Sequence, residues 1–295
     1  MPVIKKTVGE RIFDAFNALF MIFLMFITLY PFWYVITCSI SDSSYLIGDK
    51  GMMLLPHGFS LESYKMVLAN PNIVSGYTNT AIIVVFGTAV NIVMTSIGAF
   101  LMSRRDFAIK KVMMVMILFT MYFSGGLIPS FLLINNVLGL KNSYLALILP
   151  GAISTYNLII MRTNFANIPR SLEEAAKIDG ANDIVLLFKV ILPLSIPILA
   201  VMTLFYGVSH WNSWFGALLY IRDRTKYPLQ IILREILLLN STENMAGDAS
   251  AVDKYNIGEG IKYATIIVAT VPILLVYPFI QKYFVKGVMI GAVKG

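Results

Sequence analysis

Six stretches of about 20 mostly apolar residues, each free of Asp, Glu, Lys and Arg, run through this sequence. They lie at 15–40, 77–102, 112–134, 144–161, within 191–221 and within 263–281. Each is long enough to cross a bilayer as an α-helix, and a helix satisfies its own backbone where lipid cannot. The reading is an all-α membrane protein with six transmembrane helices. Only 13% of the 295 residues are charged, and the mean hydropathy is +0.76, whereas soluble domains carry roughly 25% charged residues. Gly125, Gly126 and Pro129 are expected to break or kink the third stretch. The first follows Lys5, Lys6 and Arg11, but it exceeds a signal-peptide core and no A-x-A-like site follows, so it reads as a retained span.

Six crossings place both termini on one side. Of the 23 basic residues, fourteen fall on the side of the termini, including Arg104, Arg105, Lys110, Lys111, Arg162, Arg170, Lys177 and Lys189. The other nine are spread over longer segments. Basic residues are retained in the cytoplasm during insertion, so both termini are expected there, and the net charge of +7 reflects lipid-adjacent loops, with no nucleic-acid partner. Cys38 is the one cysteine and rules out an internal disulfide. One membrane domain spans 1–295; two non-spanning stretches, an external segment at 41–76 and a cytoplasmic loop at 162–190, are too long to be plain turns, and an external loop lies at 222–260.

The cytoplasmic loop carries the sharpest local pattern. Residues 168–197 read IPRSLEEAAKIDGANDIVLLFKVILPLSIP. Pro169 marks a boundary, Ser171 with Glu174 forms a capping box, and Gly180 after Asp179 stops the helix. A second helix starts at Asn182 or Asp183 and presents Ile184, Leu187, Phe188 and Ile191, until Pro193 and Pro197 end or kink it. Leu172, Ala175 and Ala176 give the first helix a small apolar face suited to another protein's groove. On spacing alone an ordinary capped amphipathic connector is the favoured reading, since capping boxes are common.

Glu174-Ala175-Ala176, three residues, Gly180, nine residues and then Val190-Ile191-Leu192-Pro193 together resemble the EAA loop of ABC importer permeases, which favour isoleucine at the place of Val190. The stretch LPLSIPILAV at 192–201 is similar to the carbohydrate-uptake branch, and in particular to the second permease of maltose-type importers. Phe59-Ser60-Leu61-Glu62, Tyr64, Asn79-Thr80 and the ending GAVKG at 291–295 agree with it. Trp211-Asn212-Ser213-Trp214 and Tyr227-Pro228-Leu229-Gln230 resemble the subgroup serving complex oligosaccharides.

That resemblance implies a type I ABC importer transmembrane domain in a bacterial cytoplasmic membrane. It implies a heterodimer with a second permease subunit, two ABC ATPase subunits, an extracytoplasmic solute-binding protein and an oligosaccharide substrate. Glu174, Ala175, Ala176, Asp179 and Gly180 would form the ATPase-coupling element. The external tip at 240–253 would meet the binding protein, and GAVKG would lie against the ATPases.

The residues themselves bear on the energy source. Apart from tyrosines and Cys38, His210 is the only titratable group inside the spans, so the intramembrane carboxylate of an ion-driven carrier is missing. No G-x-x-x-x-G-K-[ST] occurs, so energy must come from a partner. Neither H-E-x-x-H nor G-x-S-x-G occurs, which leaves no catalytic residue, metal or cofactor to assign. For the solute path the candidates are Asn79, Asn157, His210, Trp211, Asn212 and Trp214, because aromatic faces and amides suit sugars. The same residue types also mark membrane interfaces and link helices. The alternative reading is a type I importer permease for an amino acid, phosphate or similar solute.

Overall fold

The computed structural model describes residues 7–46, 51–238, 258–276 and 278. Apart from one isolated bridge between Ser41 and Phe59, its regular structure is helical. Three helices are each long and apolar enough to cross a membrane: α1 (Val8–Ser39), α3 (Pro71–Ser103) and α13 (Gly258–Val276). Three bent pairs supply up to three further crossings. These are α4 (Lys110–Tyr122) with α5 (Leu127–Val137), α6 (Leu145–Gly151) with α7 (Thr155–Ala166), and α9 (Asp183–Leu194) with α10 (Ile196–Asn212). Short helices α2 (Glu62–Ala69), α8 (Arg170–Ile178), α11 (Phe215–Tyr220) and α12 (Leu229–Leu238) complete the set.

Chain contacts divide the molecule into two compact units, one from Met1–Asn70 with Glu235–Thr270, the other from Pro71–Arg234 with Val271–Gly295. In the first, Thr7 and Glu10 start α1 with a reciprocal capping box. Only Thr37, Cys38 and Ser39 of α1 are buried, so Phe13, Phe16 and Phe26 are left to lipid or another subunit. Its end is fastened by Ser39 Oγ to Tyr64 Oη at 2.7 Å and by Trp33 Nε1, which donates to the Leu54 carbonyl at 2.8 Å.

The second unit is built on α3. Its inward stripe is mostly small or polar: Gly76, Asn79, Thr80, Gly87, Thr88, Asn91, Thr95, Ser96 and Ala99 are buried, with Ile73, Ile83, Phe100 and Met102 as the larger members. Val85, Phe86, Val93 and Met94 face out. This inverts the pattern of a soluble helix, because lipid accepts large apolar residues and close packing needs small ones. A Cβ at Gly87 would come within 2.6 Å of His210 Nε2, and one at Gly98 within 2.9 Å of Leu158. Those glycines let α10 and α7 pack against α3. Thr95 Oγ1 and Tyr206 Oη then pair at 2.7 Å, and Tyr206 Oη accepts the Ser154 amide at 3.1 Å.

The bends follow their local chemistry. Gly126, at φ 86°, separates α4 from α5 by 110°, as Gly125 and Gly126 led one to expect, whereas Pro129 sits inside α5 without ending it. A turn of that size is more than the kink expected within one straight third span. Alone, the 13 residues of α4 reach about 20 Å, short of the roughly 30 Å hydrocarbon core. Between α6 and α7 the bend is 52°, and Asn91 Nδ2 donates to the carbonyls freed there, Gly151 at 2.6 Å and Ala152 at 3.0 Å. Between α9 and α10 it is 87°, where Ser195 leaves helical geometry between Pro193 and Pro197.

Candidate functional site

The loop after α7 begins later than 162, since α7 continues to Ala166. Helix α8 starts at Arg170 behind Pro169, whose φ of −58° and ψ of 130° set the entry. The capping box expected from Ser171 and Glu174 does not form: no side chain caps α8. Pro169 takes the N-cap place, so Ser171 already lies inside the first turn, where its hydroxyl cannot reach an orphan amide. The stop matches expectation. Gly180 sits at φ 83°, the Ala181 amide donates to Ala176 O at 2.9 Å, and the Gly180 amide to Lys177 O at 3.0 Å. This is a Schellman end with Asp179 as C-cap.

The two sides of α8 do different things. Ala176 turns inward onto a core of Ala99, Phe100, Met161, Phe165, Leu186, Leu187, Ile191 and Met202, drawn from α3, α7, α9 and α10. The small apolar face expected of Leu172, Ala175 and Ala176 is therefore split, because Leu172 and Ala175 are exposed. Glu174, Asp179 and Gly180 are exposed too, and Ile178 is 86% accessible. Helix α9 is capped by Asn182, which accepts the Val185 amide at 2.9 Å. Leu187 and Ile191 are buried as an inner face, whereas Ile184 and Phe188 point outward.

Sequence reasoning missed Glu173. Its carboxylate meets Arg104 Nη1 at 2.5 Å, with both side chains largely covered, and Arg104 Nη2 lies 3.7 Å from Asp183. The Arg104 guanidinium also lies over the Phe100 ring at 5.1 Å. One arginine at the end of α3 thus ties both helices of the loop to the membrane helix. The available signal was the spacing of Glu173 and Ala176, three apart and on one face. Removing either charge strands the other, so Arg104→Met or Glu173→Gln is expected to destabilise the chain by about 2 kcal/mol. The double variant should cost less than the sum of the singles, as a thermal double-mutant cycle in detergent would read. Additive losses would show that the pair contributes nothing.

The six path candidates do not converge on one point. Asn79 is buried as a clamp: its Nδ2 donates to Thr225 O at 2.7 Å and Tyr227 O at 2.9 Å, while its Oδ1 accepts Tyr144 Oη at 2.8 Å. Nearby, Asn142 at φ 58° accepts the amides of Arg222 and Asp223, which pins the start of the segment that follows α11. The Asp223 carboxyl is held below the usual carboxylate range by the hydroxyl and amide of Thr225. His210 Nε2 lies 2.6 Å from Asn91 Oδ1. Because Asn91 Nδ2 faces two carbonyls, its Oδ1 must accept, and His210 Nε2 carries the proton. Asn157 is buried in the first turn of α7, and Asn212 is exposed at the end of α10. Trp214 is covered by the Arg234 guanidinium at 4.5 Å. Trp211 stands beside Tyr77 and lines an apolar groove of about 610 Å³ with Thr88, Gly207 and Ile273.

Two predicted contact segments, the tip at 240–253 and GAVKG at 291–295, lie outside the described residues. Among the described residues no group of His, Cys, Asp or Glu has the arrangement of a metal site.

Bent membrane helices gathered on α3, with a capped helix pair standing at the end of the bundle, define the transmembrane subunit of an importer. Residues 92–290 match the family described as binding-protein-dependent transport system inner membrane component, and the chain belongs to it. It is 44% identical over 293 residues to the polygalacturonan/rhamnogalacturonan transport system permease protein YtcP of Bacillus subtilis (strain 168), covering 97% of this chain and 99% of that protein. Protein LplC of the same strain is 42% identical, covering 98% and 97%. The trehalose/maltose transport system permease protein MalG of Thermococcus litoralis is 28% identical over 99% of both chains. The structure of the present chain is similar, at a TM-score of 0.88 and 34% identity, to a chain of a bacterial ABC transporter involved in the import of the acidic polysaccharide alginate. That match covers 96% of this chain and all of the other.

Proposed function

We propose that this permease imports oligosaccharides derived from complex polysaccharides, as one half of a translocation path powered by ATPase subunits. It pairs with a second permease and two ABC ATPases, and it receives solute from an extracytoplasmic binding protein. The chain acts as a single membrane domain in a bacterial cytoplasmic membrane, with both termini and α8 in the cytoplasm.

One observation carries the coupling role. Helix α8 is fixed to the membrane helices through Ala176 and through Arg104 with Glu173, yet Leu172, Ala175, Ile178 and Ile184 stand uncovered beside it. An apolar helix face on the water side calls for a partner's groove. Glu174, Ala175, Ala176, Asp179 and Gly180 belong to this element. The transport roles of YtcP and of the alginate importer support a sugar over an amino acid or phosphate.

The test is uptake by proteoliposomes holding the full complex. Labelled oligogalacturonide should enter on ATP addition, while glycine betaine and phosphate should not. Entry of either of the latter, with no sugar uptake, would refute the substrate class. For the path, Trp211→Ala and Asn212→Ala should change KM or substrate range. Unchanged kinetics in both would remove those residues from it.

A further inference from the structure

A second concavity of about 530 Å³ lies where α8 meets the ends of the membrane helices. Its cations are Arg104, Arg105 and Lys110 around the α3–α4 turn, Arg162 on α7, and Arg170 and Lys177 on α8. Three carboxylates share it, Asp106, Glu173 and Glu174, which leaves the lining at +3. Glu173 is already committed to Arg104. Arg162 Nε donates to Met102 O at 3.1 Å and Lys110 Nζ to Arg104 O at 3.0 Å, contacts to carbonyl dipoles that cancel no charge. Arg105, Arg170 and Lys177 have no ion-pair partner among the described residues. Six cations against three carboxylates leave a net repulsion around one hollow, and an anion placed among the unpaired cations relieves it.

We infer that this hollow is a binding site for a phosphate group, either the headgroup of an acidic lipid or free phosphate, which braces α8 against the ends of the membrane helices. Three choices lead to that ligand. Guanidinium forks match phosphate oxygens two at a time, and four of the six cations are arginines. The hollow opens where α3 ends at Ser103 and α4 begins at Lys110, the level at which a leaflet presents its phosphates. On the proposed topology that leaflet is the cytoplasmic one, which carries the anionic lipids. Arg105, Lys110 and Arg162 belong to the membrane side and Arg170 and Lys177 to the coupling helix, so a phosphate between them links the two. That linking role rests on the proposed coupling function, whereas binding itself does not.

The test reads binding alone. The full chain is placed in nanodiscs of phosphatidylcholine doped with phosphatidylglycerol, and lipid retained on release is counted by native mass spectrometry. The wild type should keep phosphatidylglycerol in preference to phosphatidylcholine. Arg105→Gln with Arg170→Gln should weaken that preference about thirtyfold, and Lys177→Gln alone about fivefold, each basic residue near a membrane surface contributing comparably. Lys189→Gln, a charge of the same loop outside the hollow, should change nothing. If inorganic phosphate titrates into the wild type but not the double variant, and no lipid preference appears, the source is free phosphate. Equal lipid retention and equal phosphate binding in wild type and all variants would overturn the site. Loss of binding in the double variant with transport unchanged in the full complex would count against the linking role only.

Discussion

Gly180→Glu is expected to leave ATP hydrolysis by the assembled transporter running while sugar uptake falls by at least about tenfold. Gly180 sits at φ 83°, where a side chain costs about 1 kcal/mol. A Cβ there would meet no atom within 4 Å, so nothing inside this chain obstructs the new side chain. Its effect must act outward, on whatever seats against the exposed end of α8. Gly180→Ala separates the two contributions: it carries the backbone cost without the bulk and charge, and should retain most uptake. Glu174→Lys reverses charge on the exposed side of the helix without touching the backbone, and should uncouple in the same way. Normal uptake with normal stimulation of ATPase in Gly180→Glu and Glu174→Lys would remove α8 from the coupling role.

Asn91→Ala should be the most destabilising single change inside the membrane bundle, at about 2–3 kcal/mol. Three hydrogen bonds end on this fully buried amide: two from its nitrogen to the carbonyls at the α6–α7 break, and one from His210 Nε2 to its oxygen. Interhelical hydrogen bonds in membranes average only about 0.6 kcal/mol, because the unfolded helices find other partners. The carbonyls of Gly151 and Ala152 differ, since the bend frees them from their own helix. Asn91→Leu, which keeps the number and branching of the heavy atoms and leaves no cavity, should therefore cost nearly as much as Asn91→Ala. A melting temperature in detergent close to wild type for the leucine variant would show that volume, not polar satisfaction, sets the cost.

What was legible in the sequence divides by range. Apolar runs located the membrane helices, because span length depends on the local chain alone. Gly180 as a stop, Asn182 as a start, and the breaks at Gly125, Gly126, Pro193 and Pro197 were readable for the same reason. Ser171 misled because the capping pattern is common and Pro169, two residues earlier, had already fixed where α8 begins. The angles at the breaks were not legible, since 110° and 52° turns follow from what packs on either side. Arg104 with Glu173 joins residues 69 positions apart, and Asn91 with His210 joins residues 119 apart. No periodicity encodes such a pairing. Asn79 shows the limit for the solute path: it reads as a sugar-binding amide, and in the fold both ends of that amide are spent on the carbonyls of Thr225 and Tyr227 and on Tyr144.

Disulfide trapping tests the proposed docking of α8 most directly. Cysteines are placed at Ala175 or Ile178 in a Cys38→Ser background, and at successive positions lining the cleft of the partner ATPase. In membranes holding the whole complex, mild oxidation should join Ala175→Cys and Ile178→Cys to the ATPase, and the join should block ATP-driven uptake until reduced. Trapping confined to Tyr122→Cys, at the other end of α4, with none from α8, would contradict it.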